Sequence, residues 1–216
     1  MGAFQSVHQE DNYEDLATRT GFSPEQIRNL HRRFKHLTKN GDKLRRDHFR
    51  VISDLELNPI QSQIIEAFFD KRNFQGNGRG TVSEIGFEEF LIVMSYFLPT
   101  DPNLTAEERE SFRQRKLHFL FNMYDTDDDG KITVQEYRHV VQVLISQSDN
   151  LDQEEAKEIA DAAMLEVASL AVVHMAPDEF YEGITFEHFV KIWKGIEIEM
   201  KMHVRFSHLE TTSICK

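Results

Sequence analysis

Cysteine is nearly absent: Cys215 is the only one in 216 residues, so an intramolecular disulfide is excluded and a reducing compartment suits the chain. As the next-to-last residue of the sequence, Cys215 is also misplaced for prenylation, because Ser213 stands where the lipidated cysteine would be. Long apolar runs are missing as well. The richest stretches, around Phe119–Phe121 and Leu170–Val173, fall far short of the roughly 20 residues that cross a bilayer. The first 20 residues hold no secretory apolar core, so a cytosolic chain is expected. Positive charge is scarce: 25 Lys and Arg against 37 Asp and Glu give a formal charge of −12, which argues against nucleic acid as a partner. The sequence has no HExxH, no Cys-x-x-Cys and no nucleophile motif. Gly76-Asn-Gly78-Arg-Gly80 lacks the Lys-Ser/Thr of a phosphate loop. The histidines show neither metal nor triad spacing, so no enzyme is expected.

What is present is acidic and regularly spaced. Asp125-Thr-Asp127-Asp-Asp129-Gly130-Lys131-Ile132-Thr133-Val-Gln-Glu136 fits D-x-[DN]-x-[DN]-G-x5-E at every defined position. Calcium takes six to eight oxygens at about 2.3–2.6 Å. Carboxylates at loop positions 1, 3 and 5 (Asp125, Asp127, Asp129) sweep round such an ion, and Gly130 permits the sharp turn that follows. Lys131 offers its backbone carbonyl, Thr133 a water, and Glu136 both carboxylate oxygens. One calcium ion is expected, with magnesium competing for the same hard oxygens.

The flanks carry apolar stripes at helical spacing: Leu117, Leu120, Phe121 and Tyr124 before the loop, Tyr137, Val140, Val141 and Leu144 after it. A hydrophobe at loop position 8 and an aromatic at position 13 recur as Leu44/Phe49, Ile85/Phe90, Ile132/Tyr137 and Ile184/Phe189, the aromatics 41, 47 and 52 residues apart. The pattern predicts an all-α chain of four helix-loop-helix EF-hand units in two paired lobes. Only the third keeps its ligands. The fourth has Pro177, Tyr181 and His188 at positions 1, 5 and 12. In the second, Asp70 and Glu89 enclose 20 residues where the motif has 12, and in the first, Thr38 to His48 is short and cationic.

Ser23-Pro24-Glu25-Gln26 reads as a capping box, with Ile27, Leu30, Phe34 and Leu37 inward, and Thr105-Ala-Glu-Glu108 caps a later helix. A long helix is expected from Asp152 to about Leu170. The divisions that follow are an N-terminal segment at 1–22, a first lobe at 23–98, a linker at 99–110, a second lobe at 111–200 and a tail at 201–216. Met1-Gly2-Ala-Phe-Gln-Ser6 fits M-G-x-x-x-[ST], which makes Gly2 a candidate for myristoylation. One myristoyl chain binds membranes only marginally. Residues 28–50 carry +7, leaving −19 on the remainder, and this basic segment is either a solvated face or a surface for anionic lipid or an acidic partner. Met94, Phe97, Trp193 and Ile196 end the outgoing helices with large apolar side chains. They either fill the core or line a groove for a partner helix.

Four hands with this pattern of lost ligands, the Met1–Ser6 signal, Asp54-Leu-Glu-Leu-Asn-Pro59 and Lys201-Met-His-Val-Arg-Phe206 together resemble the calcineurin B homologous proteins over nearly the whole chain. The resemblance implies a fold like those of calcineurin B and calmodulin. It also implies calcium ligands at Asp125, Asp127, Asp129, Lys131, Thr133 and Glu136, and an acyl site at Gly2. The implied partner is an amphipathic helix of a plasma-membrane Na+/H+ exchanger tail, whose maturation and surface stability the chain would support. Opposition to calcineurin is a second implied activity. Family members keep a working fourth hand, from which Pro177, Tyr181 and His188 depart. The expected locations are the cytoplasm and the plasma-membrane periphery, with the nucleus as a third. The competing readings are a phosphatase regulator, a calcium sensor for other cytosolic targets, and a calcium buffer, for which one site in 216 residues is inefficient.

Overall fold

The computed structural model describes residues 13–76, 78–101, 103–145, 153–172 and 182–198. Gly2, Pro177, Tyr181 and the 201–216 segment lie outside them. In chain order the elements are helix α1 (13–20), α2 (Pro24–Leu37), strand β1 (Leu44–Arg45), a 3-10 turn at Arg46–Val51, α3 (Ser53–Glu56) and α4 (Gln61–Phe69). A second 3-10 turn at Lys71–Asn73 leads to β2 (Glu84–Ile85) and α5 (Phe87–Ser95). Then come α6 (Ala106–Tyr124), β3 (Lys131–Ile132), α7 (Val134–Ile145), α8 (Gln153–Val172), β4 (Ile184–Thr185) and α9 (Phe186–Ile192). No helix among the described residues is long and apolar enough to cross a membrane.

The capping boxes form where the sequence places them. Ser23 N donates to Gln26 Oε1 at 2.8 Å while Gln26 N returns a bond to Ser23 Oγ, and Thr105 N donates to Glu108 Oε2 at 2.8 Å. Each box satisfies amide groups that the first helical turn leaves without partners. Proline at the first position of α2 forfeits no bond for the same reason.

Each strand pair joins two hands, and the register is the one the position-8 pattern requires. Leu44 pairs with Ile85 and Ile132 with Ile184, both antiparallel. These four side chains are 0–3% exposed, so each ladder turns one residue per strand into the hydrophobic core. By contacts the chain groups into two compact units. One takes the described parts of Met1–Ile52, Phe68–Lys116 and Glu197–Lys216, and the other takes those of Ser53–Ala67 and Leu117–Ile196. The division thus runs through α6 at Lys116/Leu117 instead of the 99–110 stretch. Lys116 gives the reason: it is fully buried in the first unit, donating from Nζ to the Leu98 carbonyl at 2.6 Å over the Phe112 ring.

In the first unit the core is aromatic. Phe90 stands 5.5 Å from Phe34 and 5.9 Å from Phe68, and Phe49 lies 5.0 Å from Phe68, spacings at which ring pairs attract beyond their area burial. In the second, Phe121 and Phe189 meet edge to face at 5.6 Å, and α7 packs along α8 with Arg138 forked onto Asp161 at 2.5 and 2.7 Å. Two stripes differ from their sequence pattern. Leu120 and Tyr124 are only half-buried, while Leu117, Phe119, Phe121 and Met123 are all buried. Alternate residues of a helix point to different sides, so this part of α6 is enclosed round more than one face. Leu144 is 45% exposed, at the end of α7.

Candidate metal centre

The third hand brings its acids together. Ligand atoms of Asp125, Asp127 and Glu136 all lie within 4.8 Å of one another. Asp125 is 2% exposed, held at the end of α6, and the backbone turns sharply after it, with Asp128 at φ +61° and Gly130 at φ +86°. Glycine takes that conformation at little cost and aspartate tolerates it. Like charges this close repel, and the loop offsets the repulsion with its own donors. Asp125 Oδ1 accepts from Asp129 N at 3.2 Å and Asp125 Oδ2 from Gly130 N at 3.3 Å.

Glu136 is fixed at both oxygens. Oε1 accepts from Thr126 N and Thr126 Oγ1, each at 2.7 Å, and Oε2 from Thr133 N and Thr133 Oγ1, each at 2.9 Å. Burial alone would push its carboxyl up, but the bonds from Thr133 and Thr126 outweigh it and hold the group below the usual carboxylate range. It is therefore ionised at neutral pH and already spans the loop from position 2 to position 12. Asp129 stands apart from the acidic trio, its Oδ1 accepting from Lys131 N at 2.8 Å. The Thr133 hydroxyl is engaged with Glu136, and the Lys131 ammonium pairs with Glu182 of the fourth hand. Three carboxylates converging on a glycine turn, all oxygen donors, fit a hard divalent cation such as calcium rather than a soft one.

In the first and second hands the residues at the loop ends are bonded within the protein. In the second, Arg72 forks onto Asp70 (Nε to Oδ2 2.9 Å, Nη2 to Oδ2 2.7 Å), so a guanidinium neutralises the carboxylate that would begin a calcium loop. An isolated bridge from Asp70 to Thr81 shuts the glycine-rich insert off at its base. Glu89 turns back to accept from Gly86 N at 2.9 Å, a capping bond. In the first, His48 Nδ1 accepts from Arg45 N at 3.2 Å. Position 12 thus serves the backbone three residues earlier in the first, second and third hands, and among the described residues only in the third is it joined by further acids. In the fourth, the cap is reversed: Thr185 Oγ1 accepts from His188 N at 3.4 Å.

Thr126, Arg72 and Gly183 carry roles that sequence spacing did not signal. A Cβ on Gly183 would meet the Ile132 carbonyl oxygen at 2.7 Å and carbon at 3.1 Å, so glycine is what lets the two loops approach. Of the proposed groove residues, Met94 and Phe97 lie in the first unit, each 8% exposed. Trp193 and Ile196 lie half-buried in the second, with Trp193 5.8 Å from Phe189.

Paired helix-loop-helix units with one acid-lined loop define an EF-hand protein, and an EF-hand domain model matches residues 116–159. The chain is similar over 215 residues to calcineurin B homologous protein 3 of Homo sapiens, at 51% identity and 100% of both chains. It is 54% identical to the Xenopus laevis protein of that name over 94% of each. It is also 30% identical to the calcineurin B protein of Naegleria gruberi, over 95% of this chain and 99% of that one. The chain belongs to the calcineurin B homologous protein family, a group of calcium-binding regulatory EF-hand proteins.

Proposed function

We propose that this chain is a regulatory adaptor that binds the amphipathic tail helix of a plasma-membrane Na+/H+ exchanger, promoting its maturation, surface stability and activity. One calcium ion, for which magnesium competes, is held by Asp125, Asp127, Asp129, the Lys131 carbonyl, Thr133 through water, and Glu136. Gly2 carries a myristoyl group that brings the chain to the membrane, so it works in the cytoplasm and at the plasma-membrane periphery, with the nucleus as a further location. Met94, Phe97, Trp193 and Ile196 contribute to the surface that receives the helix.

The observation that carries this reading is the contrast between hands. In the second hand Arg72 neutralises Asp70, in the first His48 serves the backbone, and among the described residues the third alone gathers acids. A scaffold paired in this way keeps its partner surface at resting calcium, and filling one loop adjusts affinity instead of creating the site. Coupling of this kind is worth about 1–3 kcal/mol, or 5- to 150-fold. The test is titration of an exchanger-tail peptide onto wild type and Glu136→Gln, each with calcium and with chelator. Binding in all four conditions is expected, strongest for calcium-loaded wild type. Equal affinity throughout would make the ion irrelevant to the partner, and complete loss without calcium would mark a strict switch. A second reading, regulation of calcineurin, is favoured by the likeness to a calcineurin B protein along almost the full chain.

A further inference from the structure

In a chain of formal charge −12, the end of α2 is an exception. Arg32, Lys35 and His36 follow the i, i+3, i+4 spacing of one helical face and, with His31 and with Lys39 and Asn40 in the turn that follows, line an open concavity of about 530 Å³. Cations at a helix C-terminus ordinarily serve its last carbonyls. Here those carbonyls have other partners. The Phe34 oxygen accepts from Thr38 N at 2.9 Å, the Lys35 oxygen from Asn40 N at 2.7 Å and the His36 oxygen from Lys39 N at 3.2 Å. Two lining side chains are committed: Lys35 to Asp42 at 2.5 Å and to the Gly41 carbonyl at 3.3 Å, and His31 Nδ1 to the Tyr13 hydroxyl at 3.0 Å. The Arg32 guanidinium donates to the neutral Asn29 side chain, and among the described residues no acid pairs with Arg32, His36 or Lys39.

The backbone is also unusual at the rim. Lys39 and Asn40 both hold left-handed conformations, φ +53° and +68°. Glycine would take them more cheaply. A lysine lining the concavity is thus held at a cost in backbone energy, and strain of that kind tends to accompany function.

We propose that this concavity binds a polyphosphorylated headgroup of the inositol-phosphate class, whether presented by a lipid or free. Its size is that of a small-ligand site, and its lining residues are all basic or amide-bearing, with aliphatic stems but no hydrophobic residue among them. That lining favours a compact hydrophilic polyanion over a peptide, which would need an apolar anchor. The inference does not rest on the adaptor reading.

The test uses the full-length, non-acylated chain, so that Gly2 plays no part. Soluble inositol trisphosphate is titrated by calorimetry. Vesicles containing phosphatidylinositol bisphosphate are compared with phosphatidylserine vesicles of equal surface charge. Arg32→Gln and Lys39→Gln are set against Lys43→Gln and Arg50→Gln, which remove the same charge from the same basic segment outside the concavity. Each lining substitution is expected to weaken binding roughly fivefold, and both together about 25-fold. The two control variants should stay within about twofold of wild type, with thermal unfolding unchanged in all four. Binding of the soluble headgroup without vesicle binding would identify the free source, and binding of both would admit the lipid. No saturable binding in either arm, or equal losses from lining and control variants, would overturn the proposal.

Discussion

Glu136→Gln is expected to weaken calcium binding more than about 100-fold, beyond the 10- to 100-fold that changes behind a metal ligand cost. The substitution keeps shape and removes one negative charge and one of two oxygens. Its effect on the empty protein should be much smaller. Thr133 and Glu136 form a capping box at the start of α7, and glutamine serves such a box as well as glutamate. Glutamine has only one acceptor oxygen, however, so either the Thr126 or the Thr133 pair of donors loses its partner. That should lower stability in chelator by about 1–2 kcal/mol, since two hydrogen bonds of about 1 kcal/mol net each are affected. Calorimetry and chelator melting curves separate the two effects. A large loss of stability with little loss of calcium affinity would make Glu136 a helix cap and nothing more.

Gly183→Ala is expected to destabilise the protein by about 1–3 kcal/mol, the range for forcing atoms into a packed interior, and to reduce calcium affinity although it adds only a methyl group in the hand that has lost its acids. The added carbon would stand 2.7 Å from the Ile132 oxygen and 3.3 Å from Thr133 Cα. Both obstacles are backbone, so no side chain can swing aside. Either the Ile132–Ile184 pairing opens or the third loop shifts at Lys131–Thr133, the stretch proposed to supply a carbonyl and a water-held ligand. Denaturant unfolding in chelator and a calcium titration of the same variant check both parts. Stability and affinity equal to wild type would mean that the loops approach less closely than described.

The paired architecture was legible because it follows from apolar periodicity. Leu44, Ile85, Ile132 and Ile184 could be matched across the chain by loop position alone, and the ladders join those residues. The acidic trio was legible for a similar reason, since the chemistry of a hard cation dictates residue type and spacing within 12 positions. What escaped were pairings that depend on how a side chain turns or where a distant loop arrives. The second loop read as too long for calcium, but its length did not reveal that Arg72, two residues on from Asp70, turns back onto that carboxylate. Thr126 falls at an undefined position of the motif, yet gives Glu136 two bonds once the loop closes. Carboxylate repulsion therefore overstates how loose the empty loop should be. Lys131 and Glu182 lie 51 residues apart, and only the antiparallel register brings them together. The burial of Phe119 and Met123 was hidden because a single stripe cannot describe a helix enclosed on several sides.

Whether the third hand alone binds calcium is tested most directly by calorimetric titration of the chelator-treated chain. A single binding event per chain is expected, in the sensor range of about 10⁻⁷–10⁻⁵ M, and Asp125→Ala should abolish it. Two or more sites of similar affinity, or a titration curve unaltered by Asp125→Ala, would contradict it.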